Sequence, residues 1–311
     1  MTIVEGGIEV REHPDPEAEA GELLVRVRAA GLNAADLLQV AGLYPAPAGS
    51  PADIPGMELA GEVVSAGRGV TRFGPGDRVM AVIGGGAQAE LAVVPERLAM
   101  PVPEATGWEA AGGFPETFTT AHDALFTQCQ MGPGERLLVH GGAGGVGTAA
   151  VQLGVAAGAR VTATVRHPEL RAAVEALGAE VIPPEGFEAH GPFDVILELV
   201  GGPNLPADVQ VLGLGGRIGV IGVGAGGRAE IDLLALMGRR GRIHGSTLRA
   251  RSLEEKAMAA RRVEAHVLPL LAAGRVTVPI AATYPLADAV AAYERFRAGA
   301  KLGKIVLTAP S

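Results

Sequence analysis

Val139-His140-Gly141-Gly142-Ala143-Gly144-Gly145-Val146-Gly147 is the stretch that decides the fold. Ahead of it, Arg136-Leu137-Leu138-Val139 reads as a short buried strand. Behind it, Val146 to Ala157 is small, apolar and free of proline, as suits a helix packed tightly on a sheet. Gly142, Gly144 and Gly147 fit the G-x-G-x-x-G spacing in its strand–turn–helix setting. The three glycines differ in what they permit. Gly142 allows the tight turn, Gly144 lets a pyrophosphate approach the backbone, and Gly147 lets the helix sit against the strand. Unpaired N–H groups at the helix start and the helix dipole favour an anion there. A flexible glycine turn is the competing reading. With both flanks correct, we read a dinucleotide site formed by Gly142, Ala143, Gly144, Gly145, Val146 and Gly147.

Composition bounds the rest. A chain of 311 residues suggests about two domains. It is 48% hydrophobic and 19% charged, with aromatics at only 4%, so alanine and glycine do much of the filling. No apolar run reaches bilayer-spanning length without charge or glycine. Met1-Thr2-Ile3-Val4-Glu5 lacks a basic segment followed by an apolar one, so no signal peptide and a cytoplasmic location are expected. The single cysteine, Cys129, excludes an intrachain disulfide framework and a Cys-rich zinc site. A net charge of −8 argues against nucleic-acid or anionic-membrane surfaces. An anionic cofactor then needs local positive charge.

The chain divides in character near Trp108. Before it, Glu22–Ala30 alternates apolar and charged residues as a half-buried strand. Asn33 is placed to cap a short helix ending at Val40, and a Pro- and Ala-rich loop from Gly42 to Pro55 carries Tyr44. Glu58–Ser65, Arg78–Ile83 and Ala89–Val94 read as further strands between glycine turns, together a small barrel-like β domain. After a helical stretch at Pro115–Gln128, strands at Arg136–His140, Arg160–Val165, Glu180–Ile182, Phe193–Leu199, Arg217–Ile221 and Arg242–Leu248 alternate with helices at Val146–Ala157, Glu169–Leu177, Leu205–Leu212 and Ile231–Arg239. That is the doubly wound nucleotide-binding pattern. A long amphipathic helix, Leu253 to Ala273, then a strand at Pro279–Thr283, a helix at Leu286–Ala298 and a strand at Lys304–Thr308 close the chain.

Ala30-Gly31-Leu32-Asn33-Ala34-Ala35-Asp36, Gly42-Leu43-Tyr44-Pro45, Pro55-Gly56-Met57-Glu58, Gly76-Asp77-Arg78-Val79, Thr119-Thr120-Ala121, the glycine fingerprint, Gly245-Ser246-Thr247-Leu248-Arg249 and Gly303-Lys304-Ile305-Val306-Leu307 follow one another in family order. In these the chain resembles the zeta-crystallin-type quinone oxidoreductases of the medium-chain dehydrogenase/reductase superfamily. Phe114 to Phe118 and Gly245 to Arg251 resemble the stress-inducible quinone reductase branch. The resemblance implies an α/β protein: a GroES-like β domain over 1–114, a Rossmann NADPH-binding domain over 115–259, and a return to the first domain over 260–311, with the site in the cleft between them. It also implies a homodimer or homotetramer. The chain departs from relatives at Val40, where an arginine is frequent, and at Pro183-Pro184, where a tyrosine is frequent.

The zinc-dependent members of that superfamily use a cysteine and a Gly-His-Glu motif, and the matching positions here are Asn33 and Met57. A catalytic zinc site wants about three converging Cys, His or carboxylate ligands, and the seven histidines lie scattered without metal spacing. No metal is therefore expected, and Glu58 is expected as a buried salt-bridge partner. Without a Lewis acid, alcohol oxidation and simple ketone reduction lose several kcal/mol of support. Quinones and conjugated enones delocalise the incoming charge themselves. The second strand of the nucleotide domain ends without the acidic residue that binds the 2′-hydroxyl of NAD, roughly 20 residues past the fingerprint. Arg166 stands there, with forked donors suited to a phosphate, which points to NADPH. The resemblance adds Thr164, Val200, Gly222, Ser246, Thr247, Leu248 and Lys304 as cofactor contacts. It sets Asn33, Tyr44 and Thr120 near the nicotinamide or the acceptor, although each also has a plain structural reading as cap, loop lining or helix start. The expected activity is metal-free hydride transfer from NADPH to a quinone or conjugated carbonyl acceptor. The alternatives are an alkenal or enoyl double-bond reductase, and a protein that binds NADPH with little turnover.

Overall fold

The computed structural model describes residues 1–5 and 7–309. Two units are present. The first comprises Met1–Thr119, Leu248–Gly299 and Lys304–Ser311, and the second Thr120–Thr247 and Ala300–Gly303.

The second unit carries a six-stranded sheet in which every neighbour pair is parallel. Across the sheet run Glu180–Ile182, Arg160–Thr164, Arg136–Val139, Phe193–Glu198, Leu212–Val220 and Arg242–Gly245. In chain order these are the third, second, first, fourth, fifth and sixth strands, the doubly wound arrangement expected from the alternation of elements. Strands covered by helices on both faces must be apolar throughout rather than alternating. Leu137, Leu138 and Val139, and likewise Val195, Ile196 and Leu197, are accordingly fully buried. Leu138, Phe193, Ile196, Val209, Leu212 and Ile218 form one core cluster, each such side chain contributing about 1.5–3 kcal/mol on burial. Because all strands point the same way, their carboxyl ends share one rim.

The first unit holds a seven-stranded sheet. Its pivot is Glu22–Gly31, which pairs antiparallel with Glu58–Ala66, Leu91–Pro95 and Lys304–Thr308. The predicted alternation is present: Leu23, Val25 and Val27 point into a core with Leu59, Val63, Val79 and Val94, while Arg26 is exposed.

One expectation needs correction. The helix read over Leu253–Ala273 is two helices, Leu253–His266 and Leu268–Ala272. Pro269 has no N–H and its ring collides with the carbonyl four residues earlier, so an uninterrupted helix cannot pass it. The helical stretch at Pro115–Gln128 is α-helical to His122 and then widens into a π-helix over Asp123–Gln128. The units meet at Thr119/Thr120 and Thr247/Leu248, and again on either side of Ala300–Gly303. Helix Leu253–His266 belongs with the first unit, where its buried Ala259 and Ala260 pack and where Glu254 takes both guanidinium nitrogens of Arg97 at 2.8 and 2.7 Å.

Candidate active site

In the second unit, the strand Arg136–Val139 runs into the glycine loop, and helix Gly145–Ala156 leaves it. The left-handed residue of the turn is Gly141, at φ +70°, one position earlier than the fingerprint count suggests. Gly147 is where contact is closest: a Cβ there would lie 2.3 Å from the Gly141 carbonyl. The first intrahelical bond runs from Thr148 N–H to the Gly144 carbonyl at 2.8 Å, so the amides of Gly145, Val146 and Gly147 precede it without an intrahelical acceptor. A Cβ on Gly144 would meet only the Gly141 carbonyl, at 3.4 Å, so the loop's outer side is open. The Gly303 amide donates to the Ala143 carbonyl at 2.8 Å and holds the loop from one side.

Several of the other predicted nucleotide contacts fall on the same rim, just past the ends of parallel strands. Val200 follows Phe193–Glu198, Gly222 follows Leu212–Val220, and Ser246 follows Arg242–Gly245, with its N–H donated to the Val220 carbonyl. Thr247 is exposed beside it. Arg166 is exposed at the end of the second strand, 3.3 Å from His167 Nε2. Sequence reasoning missed a neighbour, Arg171, whose Nε donates to the Val165 carbonyl and sets a second guanidinium at this strand end. Thr164 is buried, and its hydroxyl accepts the Gly141 N–H at 3.2 Å, so it braces the loop from within. Leu248 is half-buried in the first unit, facing Val82, Met100 and Ala259.

Beneath the rim lies a fully buried group that spacing could not reveal. His140 Nε2 is 2.9 Å from Asp208 Oδ1 and 3.9 Å from Glu198 Oε2. The histidines are therefore not all isolated, as their scatter in sequence suggested. Glu198 turns its other oxygen onto the amides of Val200 and Gly201, and burial pushes its carboxyl above the ordinary carboxylate range.

The first unit carries a second buried polar cluster. Gly31 makes room for it, since a Cβ there would lie 2.3 Å from Glu58 Oε1. Lys304, 2% exposed, places Nζ 2.6 Å from Glu58 Oε1, 2.7 Å from Asn33 Oδ1 and 2.7 Å from the Leu32 carbonyl. An ammonium has three donors, and all three are used. Asn33 Nδ2 donates to Glu58 Oε1 at 3.0 Å and to the Gly31 carbonyl at 3.3 Å. Glu58 Oε2 accepts the Glu116 N–H at 2.8 Å, at the start of helix Pro115–His122, in which Thr120 lies buried. These bonds use all three hydrogens of the Lys304 ammonium and both hydrogens of the Asn33 amide. Asn33 does stand at the N-cap of helix Ala34–Val40, but the bond there runs from its backbone N–H to Asp36 Oδ2 at 2.8 Å, because its side chain is committed elsewhere. Burial raises the Asp36 carboxyl to about 7. Glu58 is the buried salt-bridge partner expected.

The donor set does not suit the zinc ion of the superfamily's alcohol dehydrogenases. Asn33 and Glu58 Oε1 are bonded to one another and to Lys304, so a positive charge already lies between them. A dication there would face the ammonium at close range.

Tyr44 is half-buried, with its phenol pushed upward by burial. Its loop is stapled by Arg249, which sequence reasoning left without a role although Ser246–Leu248 beside it were singled out. Arg249 is 6% exposed and donates to the Tyr44 carbonyl at 2.9 Å, to the Gly84 carbonyl at 2.7 and 2.9 Å, and to Gln39 Oε1. Its guanidinium also lies 5.1 Å from the Tyr44 ring centroid.

Comparison with known proteins agrees with both units. Residues 19–104 match the family described as Alcohol dehydrogenase GroES-like domain, and residues 177–307 match Zinc-binding dehydrogenase. The quinone oxidoreductase of Rattus norvegicus is 31% identical over 94% of this chain and 90% of its own length. The acryloyl-coenzyme A reductase of Metallosphaera sedula is 30% identical over 97% of this chain and 96% of its own. Polyketide synthases match as well: GfsB of Streptomyces halstedii is 32% identical over 94% of the chain, which spans only 5% of that protein's length. Among solved structures, the quinone oxidoreductase of Thermus thermophilus, determined also with NADPH, superposes with a TM-score of 0.82 at 35% identity, covering 99% of this chain and 98% of that one. No helix among the described residues is long and apolar enough to cross a membrane. The chain belongs to the medium-chain dehydrogenase/reductase superfamily of oxidoreductases.

Proposed function

We propose that the protein is an NADPH-dependent reductase of quinones, acting by hydride transfer without a metal. One observation carries the reading. Asn33 and Glu58, which the resemblance matches to the zinc motif of the alcohol-oxidising branch, are bonded here to a buried Lys304, which speaks against Lewis-acid polarisation of a carbonyl there. Acceptors that spread incoming charge over their own conjugated system need less help. The cofactor supplies the hydride when bound, and the protein supplies position.

The chain's residues divide that work. Gly144 to Gly147 offer open backbone and helix-start amides to the pyrophosphate. Arg166, with Arg171 nearby, meets the 2′-phosphate at a strand end that carries no acid. Thr120 is assigned to the nicotinamide side. Tyr44, kept as a neutral phenol by burial and held by Arg249, remains the donor for charge developing on an acceptor oxygen. The cluster around Lys304 orders Asn33 and anchors the helix that carries Thr120. We assign the acceptor as a small-molecule quinone and the active species as a homodimer or homotetramer in the cytoplasm.

A second reading is reduction of an enoyl double bond. It is favoured by the acryloyl-coenzyme A reductase relative, whose named substrate is a conjugated thioester. Following NADPH absorbance with a panel of quinones, enoyl thioesters and alcohols tests both. Quinone-dependent NADPH oxidation at least tenfold faster than with enoyl thioesters supports the first reading, and the reverse ratio supports the second. Brisk NADP-dependent ethanol oxidation, or binding of NADPH with no turnover on any acceptor, rejects both.

A further inference from the structure

The His140 group takes no part in the function above, and its hydrogen bonds have a definite direction. Asp208 can only accept when ionised, so at 2.9 Å the hydrogen between it and His140 belongs to Nε2. In a neutral ring Nδ1 is then bare and accepts. Its partner at 3.2 Å is the Thr164 hydroxyl, which thus gives its hydrogen to the ring. The Thr164 oxygen keeps its lone pairs for the Gly141 N–H at 3.2 Å. Every hydrogen in this line is used once. A doubly protonated ring would turn a second donor onto Thr164 Oγ1 and leave the hydroxyl hydrogen without an acceptor, since Thr164 Oγ1 bonds only to His140 and Gly141 among the described residues.

The line is sealed. His140 is 1% exposed, Thr164 2% and Asp208 0%, and the Phe187 ring closes one side edge-on, 4.7 Å from the imidazole. The charged groups facing the ring are Asp208 from helix Leu205–Val211 and Glu198 from strand Phe193–Glu198. Glu198 stands 3.9 Å away, beyond hydrogen-bond reach, with its other oxygen committed to the Val200 and Gly201 amides. What the line ends on is the Gly141 amide. Gly141 is the left-handed residue that turns the chain into the glycine loop, and the next amide, Gly142 N–H, goes to the Thr164 carbonyl at 3.0 Å. A group that fixes Thr164 therefore fixes two consecutive amides of the turn that precedes the phosphate loop.

We propose that His140, held as its Nε2–H tautomer by Asp208, is a positioning residue for the nucleotide loop, acting through the Thr164 hydroxyl on the Gly141 amide. The effect on cofactor affinity rests on the nucleotide-binding reading above. The bracing itself does not. Three buried ligand types within 4.8 Å of one another also raise the question of a cation, but a nitrogen–oxygen separation of 2.9 Å is that of a shared hydrogen.

The test uses the full-length protein with 15N-labelled histidine. Side-chain 15N spectra report the tautomer, with His140→Gln assigning the resonance. Hydrogen exchange reports the Gly141 amide, and fluorescence titration gives the NADPH dissociation constant. We expect the Nε2–H tautomer in the wild type and its loss in Asp208→Asn. Thr164→Val, nearly isosteric, should unprotect the Gly141 amide and weaken NADPH about tenfold, the scale of one hydrogen bond, whereas Thr164→Ser should stay within about twofold of wild type by the same measure. An Nδ1–H or doubly protonated His140 in the wild type overturns the proposal. So does a folded Thr164→Val that keeps both its Gly141 protection and its NADPH affinity, or a stoichiometric metal ion lost on His140→Gln. A wild type that binds no NADPH while showing the expected tautomer and exchange pattern sinks the cofactor reading and, with it, the affinity claim.

Discussion

Replacing Lys304 by methionine removes the one buried ammonium of the Asn33–Glu58 cluster while keeping a side chain of similar length. The structure fixes what is lost. Glu58, 0% exposed, loses its ion pair at 2.6 Å, and Asn33 Oδ1 and the Leu32 carbonyl each lose a donor at 2.7 Å. Two bonds to Glu58 survive, from Asn33 Nδ2 and the Glu116 amide, so the carboxylate is not wholly abandoned. Breaking a buried pair from one side costs about 3–5 kcal/mol because a charge is left without a counter-ion. At about 2–4 °C per kcal/mol, that is a fall of roughly 10 °C in the thermal midpoint. Adding Glu58→Gln removes the stranded charge and should bring the loss to within about 2 kcal/mol of wild type, since replacing both partners is far milder than replacing one. Urea unfolding followed by circular dichroism measures all four corners of the cycle. The reasoning fails if Lys304→Met loses less than about 1 kcal/mol, the value of an exposed pair, or if the double variant is no better than the single.

Three further outcomes follow from other groups. Burial raises Asp36 to about 7 against an ordinary value of 3.8, so the folded state binds the extra proton between these values. Stability should thus be greatest below about pH 4 as far as this group is concerned and should fall by up to about 1.4 kcal/mol per pH unit towards pH 7. Asp36→Asn should flatten that slope in urea midpoints taken between about pH 4 and 8, and an unchanged slope would count against the assignment. Arg166→Glu should weaken NADPH by about 1–3 kcal/mol and leave NADH nearly untouched in fluorescence titrations, and equal wild-type affinity for the two cofactors would remove the basis for it. Arg249→Met should free the Tyr44 loop, speeding its proteolysis and lowering quinone turnover about tenfold or more, whereas Tyr44→Phe should lower turnover about tenfold at most; an Arg249→Met enzyme with wild-type turnover would show that the staple is irrelevant to the acceptor.

The two architectures were legible because their signals are local. The glycine loop declares itself through spacing, and the parallel sheet through short apolar runs set between helices. Pro269 is equally legible as a break, but the apolar periodicity on either side of it continues and masks it. The buried clusters were not legible, and the reason is distance along the chain. His140 and Asp208 are 68 residues apart, and no spacing rule joins a strand end to a distant helix. Asn33 shows the limit of reading one residue at a time. Its type fits a cap and its family position fits a site, yet its amide is committed to Glu58, Gly31 and Lys304.

The interleaving of the two units along the chain carries a consequence for the order in which the molecule is made. Strand Glu22–Gly31 is made long before one of its pairing partners, Lys304–Thr308, and the bond between Lys304 and Asn33 spans 271 residues. Closing contacts of such separation is slow. Residues 120–247 contain the whole parallel sheet, and until Lys304–Thr308 is made the first unit has an open sheet edge and an uncompensated Glu58. An unpaired edge is a template for association with other chains. The hazardous interval is thus the time before Lys304–Thr308 arrives, and a chain stopped short of Lys304 would remain in it.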